Sequence, residues 1–171
     1  MTTLAIFSLV VIAMASLQIF GLRVNAITSS KLESTAYSLK ALDQIRDLVC
    51  EANSVSVGDG NRSSFTATGT SGNALQVYLT TNSNYLRFYL ATNTTALYEL
   101  NSTNNNLSLL ASNVVDQTVF EAVNFQGNIL SGDQEHYAIL LTLQFAQLAY
   151  TVPTNTYDYY TLQTEMTPRT Q

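Results

Sequence analysis

The first charged side chain in this sequence is Arg23, yet the helix-forming pattern before it continues well past it. Residues 1–22 contain no Asp, Glu, Lys or Arg, and the run Leu4, Ala5, Ile6, Phe7, Ser8, Leu9, Val10, Val11, Ile12, Ala13, Met14, Ala15 lies at their centre. Crossing the hydrocarbon part of a bilayer takes about 20 apolar residues, which this segment and its flanks supply. No proline precedes Pro153, and the only glycine before Gly58 is Gly21, so nothing obliges a helix to stop at the first charge. Further on, Leu32, Ala36, Leu39, Leu42, Ile45, Val49 and Ala52 recur at spacings of three and four, the period of a helix that buries one face. Lys31, Glu33, Lys40, Asp43, Asp47 and Glu51 occupy the other face. The pattern predicts one helix from near Thr3 to near Asn53, about 50 residues and roughly 75 Å at 1.5 Å per residue.

Beyond the helix the period changes to two. Val55 and Val57 begin an alternation, Gly58-Asp59-Gly60-Asn61 reads as a turn, and residues 65–68 as a weak strand closed by the turn-rich residues 69–73. Residues 74–79 and 85–90 form a hairpin across residues 82–84, and residues 96–100 and 107–110 flank a polar tip. Strands follow at residues 119–125, ending in a Gln126-Gly127-Asn128 turn, at residues 137–145, and at residues 159–166. The segment 137–145 is apolar on both faces at its centre, which predicts a central place in a sheet. The expected class is therefore α+β: a long helix whose second half covers the apolar face of an antiparallel sheet. Leu39, Leu42, Ile45 and Val49 are the expected helix–sheet contacts. Three segments result: an apolar helix half over 1–25, an amphipathic half over 26–53, and a β-rich head over 54–171.

Charge narrows the function. Charged residues make up 11% of the chain, against about 25% in ordinary soluble domains. Arg23, Lys31, Lys40 and Arg46 balance Glu33, Asp43, Asp47 and Glu51, so the net charge of -5 belongs to the head. An acidic head repels phosphate backbones, which argues against nucleic acid as a partner. Cys50 is the only cysteine and His136 the only histidine, so neither an internal disulfide nor a zinc-type cluster can be assembled. His136 stands beside Glu135 without a partner for acid–base work and reads as a solvated strand-start residue. Asp59 and Asp133 lie in turns that do not match a dedicated calcium loop. Cys50 is expected to pack as a small residue near Val49. Tyr157, Tyr159 and Tyr160 around Asp158 read equally as a contact surface or as edge-strand packing. Asn-x-Ser/Thr sequons begin at Asn61, Asn93, Asn101 and Asn106, as readily arises by chance in an Asn- and Thr-rich chain. No nucleophile–base pair, paired-carboxylate motif, metal site or cofactor site is assigned, and an enzyme is not expected.

This layout resembles the type IV pilin and type II secretion pseudopilin superfamily, and within it the minor-pilin type. The likeness is carried by Leu4 to Ala13 of the apolar run, by the stripe from Leu32 to Ala52, by the large β-rich head, and by Thr164-Glu165-Met166-Thr167-Pro168-Arg169, similar to the Thr-x-Val-x-x-Arg ending of such heads. The family's basic leader, processing Gly and Phe-Thr-Leu-x-Glu opening do not occur here, so no processing, methylation or assembly residue is carried over; Met1-Thr2-Thr3-Leu4 aligns downstream of that motif. The resemblance implies a non-enzymatic structural subunit of an envelope-spanning filament or secretion machine. Leu4, Ile6, Phe7, Leu9, Val10, Val11 and Ile12 would anchor the chain in a bacterial inner membrane, with a periplasmic or extracellular head, and later pack against the helices of other pilin or pseudopilin subunits. Two other readings of the N-terminal segment stand beside it: a plain single-span anchor, and a signal peptide cleaved after Val24-Asn25-Ala26 to release a β-rich binding or adhesion domain.

Overall fold

A computed structural model of the chain describes residues 2–80, 84–91, 93–130, 138–150 and 156–169. The chain divides into two compact units, Met1–Ala36 and Tyr37–Gln171. Helix α1 runs Thr2–Glu51 without interruption, within two residues of both expected ends. The first unit is the N-terminal part of this helix. The second begins with its last turns and contains every strand.

The head holds two antiparallel sheets where the sequence pattern predicted one. Strands β1 (Ser54–Gly60), β2 (Phe65–Ala67), β3 (Ser71–Gly72), β4 (Ala74–Tyr78), β5 (Leu86–Ala91), β6 (Ala96–Asn101), β7 (Asn106–Ala111), β8 (Phe120–Val123), β9 (Ala138–Tyr150) and β10 (Thr156–Met166) follow in chain order. The larger sheet has the order β2-β1-β4-β5-β6-β7, and the smaller β10-β9-β8-β3. The sheets meet because β3 leaves the meander. Ser71 and Gly72 pair with Glu121 and Phe120 of β8, while β4, two residues on, pairs with β1 and β5.

Two glycines permit that crossing. A Cβ on Gly72 would collide with the Gly58 carbonyl oxygen, and one on Gly58 with the carbonyl oxygen of Thr66. Gly58, Asp59 and Gly60 are therefore strand residues, not the turn their composition predicts; the turn falls at residues 61–64, where Asn61 Oδ1 accepts from the amides of Ser63 and Ser64. Asn73 then fills the gap ahead of β4 with its side chain. Its Oδ1 accepts from Gly60 N at 2.8 Å, and its Nδ2 donates to the carbonyls of Gly60 and Leu90 at 3.0 Å each. One amide side chain thus continues the ladder between β1 and β5.

A single core is shared by both sheets and the end of α1. Val55, Val57, Leu75, Val77, Phe88, Leu90 and Leu97 enter it from the large sheet, and Phe120, Ala122, Ile139, Leu141, Leu143 and Phe145 from the small one. Strand β9 lies inside the small sheet between β8 and β10, as its apolar run predicts. Ala41, Leu42, Ile45, Val49 and Ala52 complete the core, each large side chain contributing about 1.5–3 kcal/mol through burial. Leu39, expected among them, is 48% exposed. At about 100° per residue it points some 90° away from the direction shared by Ser38, Leu42, Ile45 and Val49. Polar contacts reach both sheets from the same helix end: Ser38 Oγ lies 3.3 Å from the Tyr160 hydroxyl, and Gln44 Nε2 donates to Glu99 Oε2 at 2.7 Å.

Candidate functional site

Ile6–Ser29 is a 24-residue stretch of α1, and no part of its most apolar window is buried within the chain. At 1.5 Å per residue it extends about 36 Å, enough for a hydrocarbon layer of about 30 Å. By length and composition it meets the requirement of a membrane span or a signal sequence. Ile6, Phe7, Leu9, Val10, Val11 and Ile12 all expose large apolar surfaces, as do Leu17, Phe20 and Leu22; the Leu4 side chain lies outside the described set. Two hydroxyls on this stretch bond back to the helix itself. Ser16 Oγ donates to the Ile12 carbonyl at 2.8 Å, and Thr28 Oγ1 to that of Val24 at 2.9 Å. Such back-bonding satisfies polar groups without water, the condition an apolar surrounding imposes.

The head carries a buried polar centre of a different kind. On the face of the large sheet turned away from α1, Arg87 is 5% exposed and meets no carboxylate among the described residues. Its Nε and Nη2 donate to Gln76 Oε1, its Nη1 to the carbonyls of Asn61 and Ser64 at 2.9 and 3.1 Å, and its Nη2 also to the Tyr85 hydroxyl. All five guanidinium donors are thus engaged by neutral oxygens. The rings of Phe65 and Tyr85 lie 5.4 and 4.9 Å from its central carbon, so quadrupoles and carbonyl dipoles replace the missing counter-ion. Register sets this up: Gln76 pairs with Arg87 across β4 and β5, and Arg87 with Leu100 across β5 and β6. Beside it Ala74, Tyr89 and Leu100 form a second small core, with Tyr89 stacked on Tyr98 at 5.8 Å. Burial pushes the Tyr89 hydroxyl above its ordinary pKa, partly offset by Arg62.

On the opposite face, desolvation raises the Glu99 carboxyl above its ordinary value, and the hydrogen bond from Gln44 opposes that shift. Cys50 is half-buried against the main core, the packing role its place on the helix predicts. Asp59 accepts from the Asn73 amide at 3.2 Å. His136, Glu135 and Asp133 lie outside the described residues, and among the described residues no three His, Cys, Asp or Glu side chains converge. Tyr157 and Tyr159 are exposed, whereas Tyr160 stacks on Phe145 at 5.0 Å. Two shallow clefts, one of about 200 Å³ bordered by Tyr85 and Asn101 and one of about 510 Å³ bordered by Asp59 and Gln117, place no nucleophile beside a base.

Sequence reasoning missed Arg87, Gln76 and Asn73. Alternation on 85–90 placed Arg87 opposite Leu86, Phe88 and Leu90, on a face with no predicted cover. A lone arginine between Leu86 and Phe88 in a strand is the one signal that pointed to it. No known protein family, curated protein or solved structure matches this chain.

Proposed function

We propose that the chain is a non-enzymatic subunit of a pilin-like filament, of the minor pilin or pseudopilin type, held in a bacterial inner membrane before assembly with its head outside the cytoplasm. One observation carries the reading. A single uninterrupted helix is apolar and unburied over Ile6–Ser29, and the same helix supplies Leu42, Ile45 and Val49 to the core of an antiparallel head. A cleaved signal sequence has no use for helical continuity into the domain it delivers, and a plain anchor does not require it. A filament subunit does, because the packed helix transmits position from the filament core to the head.

The apolar side chains would exchange lipid for neighbouring helices. Lipid tails are as apolar as leucine, so packing and not burial would steer that transfer. The test is expression in a bacterial host, with N-terminal sequencing of the mature chain and oxidative cross-linking of a Val10→Cys variant in a Cys50→Ala background. Retention of residues 6–29 and a covalent dimer in isolated membranes are expected. A mature chain beginning at Ile27 overturns the reading and leaves a released β-rich domain.

A further inference from the structure

Among the described residues four strands end the two sheets, and their lengths differ sharply. β2 and β3 have three and two residues, β7 six, and β10 eleven. Short edges offer little to an incoming strand; long regular ones are templates for it.

The direction of the free groups follows from the ladder. Thr142 N donates to Val119 O, Val115 N to Gln144 O, and Ala146 N to Asn113 O, so the even positions of β9 are turned away from β10. In antiparallel pairing the groups alternate. Leu141 and Leu143 therefore bond to Thr164 and Leu162, which leaves the main-chain groups of Thr161, Gln163 and Glu165 facing outward. The same reasoning applies to the other sheet. Leu90 N donates to Asn73 O on the β4 side and Ser102 N to Tyr85 O, so the even positions of β6 bond to β5 and its odd positions to β7. Glu99 and Asn101 then bond to Ser108 and Asn106, and the groups of Leu107 and Leu109 face outward.

Protection is sparse on both edges: β7 has a register shift between Leu109 and Ala111, at its far end, and β10 has one at Thr156/Tyr157. Residues 161–166 contain no proline, no lysine and no register shift, and residues 106–109 contain no charge and no proline. Leu109 is 59% exposed beside its edge, and Glu165 is the one charge on either stretch.

We infer that the β10 edge, through Thr161, Gln163 and Glu165, takes the β7 edge of a second copy of this chain as an added strand. Each edge presents outward groups two residues apart, so the two match in spacing, and no like charges oppose each other. Because the contact joins two different edges it is heterologous: each terminal copy keeps one edge free, and growth ends in a ring or continues as a filament according to the rotation between copies. A pairing of β10 with itself would close at two copies. The inference rests on the filament reading for the open-ended outcome, and it adds a head-to-head contact to the helix contacts proposed above.

The experiment uses the full chain in detergent micelles, with mass measured by light scattering after gel filtration. Gln163→Pro removes an outward donor from β10 and Leu107→Pro one from β7, at positions whose donors bond to no partner within the sheet. Near-ultraviolet circular dichroism reports whether each head stays folded, and Thr161→Lys on the exposed face is the second β10 variant. The wild-type chain is expected to form a ladder of oligomers. Each variant alone should lose at least tenfold of it, and a mixture of Gln163→Pro with Leu107→Pro should recover dimers and nothing larger. A ladder that survives both β10 variants overturns the pairing. So does a Leu107→Pro chain that assembles normally, which is the signature of β10 joining β10. Helix cross-links through Val10→Cys that persist while both edges prove inert would sink this contact and leave the filament reading standing.

Discussion

Ile12 and Ile45 are the same side chain on the same helix, yet one is 65% exposed and the other 0%. Around Ile12 every large apolar neighbour is exposed as well. Around Ile45 the helix is two-faced, and Ala41, Leu42, Val49 and Ala52 share the burial. Apolarity thus does two jobs within one element. In the second unit it is consumed by the chain's own core; in the first it is left for surroundings that the chain does not supply. A helix that is apolar all round needs lipid or other helices, and one that is apolar on a stripe needs a sheet.

The sharpest way to break this contrast is to put the same charge at both positions. Ile45→Asp buries an unpaired carboxylate and should cost more than about 4 kcal/mol, enough to unfold the head. With ten tyrosines and no tryptophan, tyrosine near-ultraviolet dichroism in a urea titration is the readout. Ile12→Asp should leave that midpoint unmoved and instead weaken membrane retention by about 2.5–3.5 kcal/mol, the insertion cost of Asp at a span's centre, read as release from membranes by carbonate. If Ile12→Asp shifts the urea midpoint, the division of labour along the helix is wrong.

Within the head, Arg87→Met strips hydrogen-bond partners from Gln76 and two carbonyls and should cost about 3 kcal/mol in the same titration. Arg87→Lys should recover little of it, because an ammonium lacks the planar fork that reaches Gln76, Tyr85 and the loop together. Leu42→Ala should cost about 2–3 kcal/mol and Leu39→Ala less than about 0.5, although both were expected on the same stripe. Equal costs would put Leu39 back among the helix–sheet contacts.

The smallest effect concerns Glu99. Its folded-state pKa lies above the ordinary 4.5, so the folded head binds this proton more tightly than the unfolded chain. The resulting stability is complete below about pH 4.5 and is lost as pH rises through the folded value. Glu99→Gln keeps an oxygen for Gln44 and removes the titration. The wild type should therefore lose stability relative to Glu99→Gln between pH 4 and 7, by urea midpoints at each pH. A difference that stays flat across that range would mean that the Glu99 environment is not desolvated.

Most element positions were legible because they depend on local period. The helix ends near Asn53 since its stripe stops there, and the strands from β4 to β10 start within a few residues of where alternation starts. Gly58-Asp59-Gly60 misled because glycine marks both turns and close crossings; only the approach of Gly72 to the Gly58 carbonyl separates the two. Leu39 misled because a three-four spacing tolerates a stripe wider than the surface that covers it. The Arg87 centre was hidden for a related reason. Its partners Gln76, Tyr85, Asn61 and Ser64 come from β4, the residue ahead of β5 and a turn, and no pattern within one strand encodes their meeting.

By itself the sequence determined that this chain has one long helix with an apolar first half and an antiparallel head, because both follow from periodicity and from an uninterrupted absence of proline and charge. Tertiary structure alone decided that the head is two sheets, that Leu42 and not Leu39 faces them, and that Arg87 is buried with no acid beside it among the described residues. Those outcomes depend on which surfaces meet across tens of residues, and burial, close approach and hydrogen-bond satisfaction act only once they have met.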